Sequence, residues 1–226
     1  MARQVNREEY AARRRDILDA ALQLMHDKGY AQMTVDDVLT RLQISKGAFY
    51  HYFPSKRALL EGIVEQMRDS ATHQLRSVVD DPQLGAIDKF RGYFQTSGSW
   101  KSHHEVAVTT VMRLWRDENN ALLRQKLSQE SLQHTAPLLE QIIRQGCTEG
   151  VFDTAHPHEA AVIITGMGLH LADTFIDAMQ TDGGSGVDPV GPAIERATAA
   201  YVDALERILG ASAGALLAGR PLIRPV

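Results

Sequence analysis

The sequence predicts an all-helical protein made of a small basic head and a larger acidic body, and three observations carry that expectation. Apolar residues recur at three- and four-residue spacing along most of the chain, while the alternating β-branched runs of strands are scarce. Composition agrees, with 44% apolar residues and only 6% aromatic. Charge is unevenly spread. Residues 1–57 hold ten Lys/Arg against seven Asp/Glu and the remainder fourteen against twenty-one, so a net charge of −4 conceals a positive head. At 226 residues the chain can hold a small domain and a larger one with ample core. The expected divisions are 1–56, with a helix reaching on to about 75, then 57–209, then a weakly ordered tail over 210–226.

Several classes are disfavoured at once. A single cysteine, Cys147, cannot form an internal disulfide, which suits a reducing cytoplasm. No apolar leader opens the chain and no apolar run approaches the ~20 residues of a membrane span, so a cytoplasmic protein without membrane contact is expected.

In order, the chain begins with a basic arm bearing Arg3, Arg7, Arg13, Arg14 and Arg15, which reads either as a frayed, solvated terminus or as an arm that meets phosphate or a minor groove. Asn6 and Glu9 form a capping pair, so a first helix starts near Arg7. It runs to about Lys28 with Ile17, Ala21, Leu24 and Met25 inward and Gly29 as its stop.

Thr34 to Lys56 then reads as two short helices and a tight turn. Thr34 and Asp37 form a capping-box pattern, and Val35, Val38, Leu39 and Leu42 share one face. Gln43-Ile44 makes the turn, and Ser45 caps a second helix carrying Lys46, Gly47, Ala48, Phe49, Tyr50, His51 and Tyr52. Phe49 and Tyr52 point inward, leaving Lys46, Gly47, Tyr50 and His51 outward. Pro54 stops that helix and Ser55 caps the next, which continues to about Val79. Such a pair of helices suits entry into a DNA major groove. Ser45, Lys46, Gly47, Ala48 and His51 are placed to reach base edges, the two small residues allowing close approach.

These residues carry a family resemblance. Ala20-Ala21, Gly29-Tyr30, Thr34-Val35, Ser45-Lys46-Gly47, Phe49-Tyr50 and Phe53-Pro54-Ser55-Lys56 make the run Ile17–Leu60 resemble the DNA-binding domain of the TetR (tetracycline-repressor) family of transcription regulators. The resemblance covers about residues 12–75, a third of the chain. It implies phosphate contacts from Thr34, Tyr50, Tyr52 and Lys56, the last favoured by the dipole of its helix. One departure stands out. The family carries a small residue and a glycine at the turn, where this chain has Leu42 and Gln43, so a positive φ there implies modest strain or an altered turn.

The body is expected to hold helices over Leu84–Trp100, 102–117, 119–149 (interrupted or kinked near Pro137), about His156–Gln180 and from Asp188-Pro189 to about Leu209. The last two present wide apolar stripes: Ile163, Ile164, Met167, Leu171 and Phe175 on one, Ile194, Ala197, Tyr201 and Leu205 on the other. Gly166 and Gly168 would allow close helix approach. By resemblance these helices pair two copies into a four-helix bundle, giving a homodimer that reads an inverted-repeat operator in double-stranded DNA. Phe90, Phe94, Trp100, Val108, Met112, Trp115, Met167, His170 and Phe175 are candidates for a small-molecule effector pocket, though each alone reads as ordinary core. The function expected is a ligand-responsive repressor released from its operator by that effector.

Other readings compete. A DNA-binding protein could instead have a structural role. His103-His104, His134, His156 and His158, with Glu105, Asp153 and Glu159, raise a metal sensor or metal-dependent hydrolase. Adjacent histidines on a helix diverge by about 100°, however, and no paired metal-ligand spacing occurs. Cys147 as a redox sensor has only Arg144, one turn back, as a basic neighbour. No serine sits in a nucleophile elbow. No metal, no cofactor and no enzymatic activity are therefore expected.

Overall fold

Helical periodicity becomes helix throughout the computed structural model, which describes residues 7–116, 121–181 and 190–216. Among them lie α1 (Arg7–Lys28), α2 (Val35–Leu42), α3 (Lys46–Tyr52), α4 (Lys56–Val79), α5 (Ala86–His103), α6 (Glu105–Arg116), α7 (Ala121–Glu149), α8 (Pro157–Thr181) and α9 (Val190–Leu209), and no strand. The proposed cap at Asn6, the Arg3 end of the arm and the Asp188-Pro189 cap lie outside the described residues. The long helix is not interrupted at Pro137. The ring removes one N–H, but it is itself exposed, between buried Ala136 and Leu138, within a continuous α7.

Cα packing separates two compact units, each described by itself. The head unit takes in residues to Ser70 together with 104–123, and the body unit takes in 71–103 together with 124 onward. The expected head already reached along α4 to about residue 75, and the head unit does so to Ser70; the difference lies in α6, which packs with α1. The reason is visible in α6 itself. Leu114 is buried in the head core, Thr110 is buried too, and the Thr110 hydroxyl lies 3.4 Å from His26 Nδ1 on α1.

The head core is formed by Ile17, Leu18, Leu24 and Met25 of α1, Val38 of α2, Phe49 of α3, Phe53, and Leu59 and Ile63 of α4. Of the α2 stripe only Val38 is fully buried, with Val35, Leu39 and Leu42 packed at the edge of the core, and fully burying one such side chain is worth roughly 1.5–3 kcal/mol. The body core joins Phe90 and Tyr93 of α5, Leu139, Ile142 and Ile143 of α7, Ala161 and Ile164 of α8, and Tyr201, Val202 and Leu205 of α9.

The chain beyond α9 departs from the expected weak tail over its first residues. Gly210 turns the chain with φ +60°. Glu206, itself buried, then accepts the backbone N–H groups of Gly214 at 2.9 Å and Leu216 at 3.0 Å. Arg91 of α5 donates to the Ala215 carbonyl at 2.5 Å. Leu216 is thereby fully buried in the body core. One buried carboxylate that satisfies two orphan donors orders a segment whose small residues give no periodic signal.

Candidate nucleic-acid interface

The outer face of α3 is set by what lies beneath it. Phe49 and Phe53 are buried, their rings 6.2 Å apart, and anchor the seven-residue helix to the head core. Ser45, Lys46, Gly47, Ala48, Tyr50 and His51 are consequently exposed, Tyr50 to 43%. A Cβ built on Gly47 would meet nothing within 4 Å, so the surface there is open.

The caps decide which hydroxyls remain available. Ser45 Oγ accepts the Ala48 N–H at 3.1 Å, which leaves its own proton free to be donated outward. Thr34 differs. Its Oγ1 accepts from the Asp37 N–H at 3.2 Å and donates to Asp37 Oδ2 at 2.9 Å, so a phosphate would compete with the capping box for that proton. Asp37 also accepts from Lys28 Nζ at 2.6 Å, and this bond, ahead of those from Thr34, holds its carboxyl down at about 2.

Helix dipoles sharpen the contrast. The first turn of α2 carries Asp36 and Asp37, which compensate its positive end, whereas the first turns of α3 and α4 carry no acidic residue. The positive ends of α3 and α4 therefore stay open to an external anion. Lys56, at the first position of α4, is tied inward: Nζ donates to the Ala31 carbonyl at 3.2 Å and lies 4.4 Å from the Tyr30 ring centroid. Burial lowers the pKa of its ammonium, partly offset by Asp37. One of its three donors is spent, so Lys56 serves the head's structure as well as any anion.

The turn bears out the oddity at Gln43, which adopts φ +52° and ψ +41° and is the one non-glycine with positive φ among the described residues. Its N–H and that of Ile44 both converge on the Leu39 carbonyl, closing α2 with a left-handed residue.

Sequence reasoning missed Tyr10, and it missed the tertiary contacts of Arg14, placed only in the basic arm, and of Tyr30, noted only within the family resemblance. Tyr10 of α1 lies with its ring 4.7 Å from that of Tyr52 and 5.8 Å from that of His51. Arg14 bonds Glu65 at 2.7 Å and covers the Phe53 ring at 5.3 Å, linking α1 to α4. No sequence spacing signals contacts between residues about 40 to 50 positions apart.

The remaining candidates are distributed as follows. Ile164, Tyr201 and Leu205 are buried within the body of a single chain, so their side chains leave no surface for a second copy. Met167 and Leu171 pack partly against the same core, Ala197 is half-buried, and Ile163 is 51% exposed. Gly168 does permit close approach, but within the chain: its Cβ would lie 3.1 Å from the Tyr201 hydroxyl, whereas Gly166 is open. Phe90, Phe94, Trp100, Met167 and His170 belong to the body unit, Val108 and Met112 to the head unit. Phe90, Phe94 and Tyr201 form a ring series with centroids 5.1 and 6.2 Å apart, and His170 is exposed. The side chains of Trp115, Phe175 and Ile194 lie outside the described residues. Among the described residues no three His, Cys, Asp or Glu lie together as a metal site, and no helix is long and apolar enough to cross a membrane.

Residues 17–63 match the tetR family of bacterial regulatory proteins. The chain is similar to the HTH-type transcriptional repressor KstR2 of Mycobacterium tuberculosis, 24% identical over 144 residues that span 62% of this chain and 70% of the repressor. It is also similar to the nucleoid occlusion factor SlmA of Photobacterium profundum, 31% identical over 70 residues that span 30% of this chain and 36% of that factor. The fold is similar to that of SmeT in its complex with triclosan, with a TM-score of 0.65 at 21% identity over 95% of this chain and 99% of SmeT.

Proposed function

The chain belongs to the tetR family of bacterial regulatory proteins through its head, and we propose that it is a ligand-responsive repressor that binds an inverted-repeat operator as a homodimer. The observation that carries this reading is the exposed face of α3, with Ser45, Lys46, Gly47, Ala48 and His51 standing on buried Phe49. That face has the dimensions and chemistry of a major-groove reader. Tyr50, Tyr52, Lys56 and the arm arginines other than Arg14, which is engaged with Glu65 and Phe53, then bind phosphate, and Thr34 joins them only at the expense of its cap. Exposed Ile163, on the α8 stripe, supports pairing of two copies through α8 and α9. The effector is a small apolar molecule held in the body by the Phe90–Phe94–Tyr201 ring series. SmeT, of similar fold, binds triclosan. The repressor works in the cytoplasm and performs no catalysis.

The test is selection of bound duplexes from a random library by the purified protein. Recovery of an inverted repeat is expected, and recovery of an unpaired half-site, or of nothing, overturns the reading. Lys46→Ala or His51→Ala should relax discrimination by ~1–3 kcal/mol for a true base contact. Tyr50→Ala should weaken all duplexes together and flatten the salt dependence. The similarity to SlmA favours a second reading, DNA binding with a structural role. Sites clustered at gene starts support the repressor, and sites spread along the chromosome support the alternative.

A further inference from the structure

We propose that Tyr10 is a positioning residue for DNA recognition, holding His51 and Tyr52 in the orientation with which α3 meets the bases. The proposal rests on the DNA-reading assignment of α3. Tyr10 lies seven residues before the matched segment, on a different helix from the rings it touches.

A seven-residue helix has few contacts to fix its direction. Phe49 and Phe53 anchor α3 from below, but they leave its last two side chains, His51 and Tyr52, at the rim of the head core. Tyr10 meets both. Its ring lies 4.7 Å from that of Tyr52 with planes 33° apart, and 5.8 Å from that of His51 at 84°. His51 and Tyr52 are themselves 5.3 Å apart at 81°, so three rings close a triangle with two edge-to-face pairs. These are arrangements the aromatic quadrupole favours, and each reduces the rotamers open to an exposed imidazole. A base-reading side chain confined beforehand spends less ordering entropy on binding, and does so on cognate sequence where its donor finds a partner.

Tyr10 is itself held. One turn on, Arg14 bonds Glu65 at 2.7 Å and lies 5.3 Å from the Phe53 ring centroid, so this face of α1 is fixed to α4 and to the residue that closes α3. The stacking uses the Tyr10 ring, and its hydroxyl is not required.

The experiment compares full-length protein with Tyr10→Ala, Tyr10→Leu and Tyr10→Phe. Affinity for a duplex selected by the wild type from a random library is measured against a scrambled duplex over a range of salt, and ring-to-ring NOEs between His51 and Tyr52 are recorded without DNA. The alanine and leucine variants should lose roughly three- to tenfold in the selected-to-scrambled ratio at unchanged salt slope, with the NOEs weakened. Phenylalanine should restore both. An unchanged ratio in the leucine variant, or a phenylalanine variant as poor as alanine, overturns the proposal. So does a fall in the ratio with NOEs intact, which would make Tyr10 a DNA contact, or an equal loss on both duplexes with a shallower salt slope, which would make it a phosphate contact. Should alanine fail to fold, leucine keeps the bulk while removing the ring. If the wild type selects no sequence, the DNA-reading assignment itself falls, before any variant is compared, and takes the proposal with it.

Discussion

Head and body each end a helix on a left-handed residue, by different means. In the head, α2 closes on Gln43 at φ +52°, a conformation that crowds Cβ against the following carbonyl, and the closure is held by two N–H groups converging on Leu39. In the body, α9 closes on Gly210, and the turn beyond it is held by buried Glu206 and by Arg91, which is 124 positions from the carbonyl it binds. The head's order is made mostly of bonds within a few residues: Thr34 with Asp37, Ser45 with Ala48, Ser55 with Ala58. Local bonds fix short helices while leaving their outer faces uncommitted. The body commits its stripes inward instead, which is why Ile164, Tyr201 and Leu205 serve a single chain's core.

The contrast can be broken most forcefully at its two aromatic centres. Phe49→Ala and Phe90→Ala should each cost ~3–5 kcal/mol, because both rings are fully buried and leave cavities. The two core clusters share no residue, so amide exchange should rise around Val38 in the first variant and around Ile142 in the second. Equal loosening of both clusters by either variant would show one cooperative unit rather than two.

Glu206→Gln probes the body's clasp. An amide can accept from only one of Gly214 and Leu216 through its carbonyl oxygen and turns a donor on the other, so a loss of ~1–3 kcal/mol is expected in denaturant unfolding. No loss would mean that residues 210–216 are ordered without that carboxylate.

Gln43→Gly is smaller and opposite in sign. Relief of the left-handed side chain outweighs the added freedom of the unfolded chain, and a rise of ~0.5–1 kcal/mol in stability is expected. A lower melting midpoint would show that the Gln43 side chain itself contributes to the turn.

The smallest effect separates the units by pH. Asp37 is lowered from its ordinary 3.8 to about 2, so its contribution is present above 3.8 and is lost as pH falls toward 2. His158 of the body bonds Glu140 at 2.7 Å and is raised above its ordinary 6.5, so its contribution is complete below 6.5 and disappears as pH rises through the higher folded value. Unfolding followed against pH should therefore lose an acid-side slope in Asp37→Asn and a neutral-side slope in His158→Gln. Slopes unchanged in both would remove these pairs from the stability of either unit.

What the sequence determined by itself was whatever depends on neighbours along the chain. Among the described residues helical periodicity placed the helices to within a few residues, capping patterns marked Thr34 and Ser45, and the family resemblance, with its glycine at the turn, pointed to the positive φ found at Gln43. The outward set on α3 was legible because a short helix with Phe49 inward must expose the residues beside it. Tertiary structure decided the rest. It joined α6 to the head through Leu114, tied Lys56 to Tyr30 and Ala31, set Tyr10 against His51, and drew Leu216 into the body through Glu206. Each of these is a contact between residues whose separation carries no period. Two apolar stripes read alike whether they meet another helix of the same chain or one from a second copy; packing shows that Ile164, Tyr201 and Leu205 meet their own chain while Ile163 stays exposed.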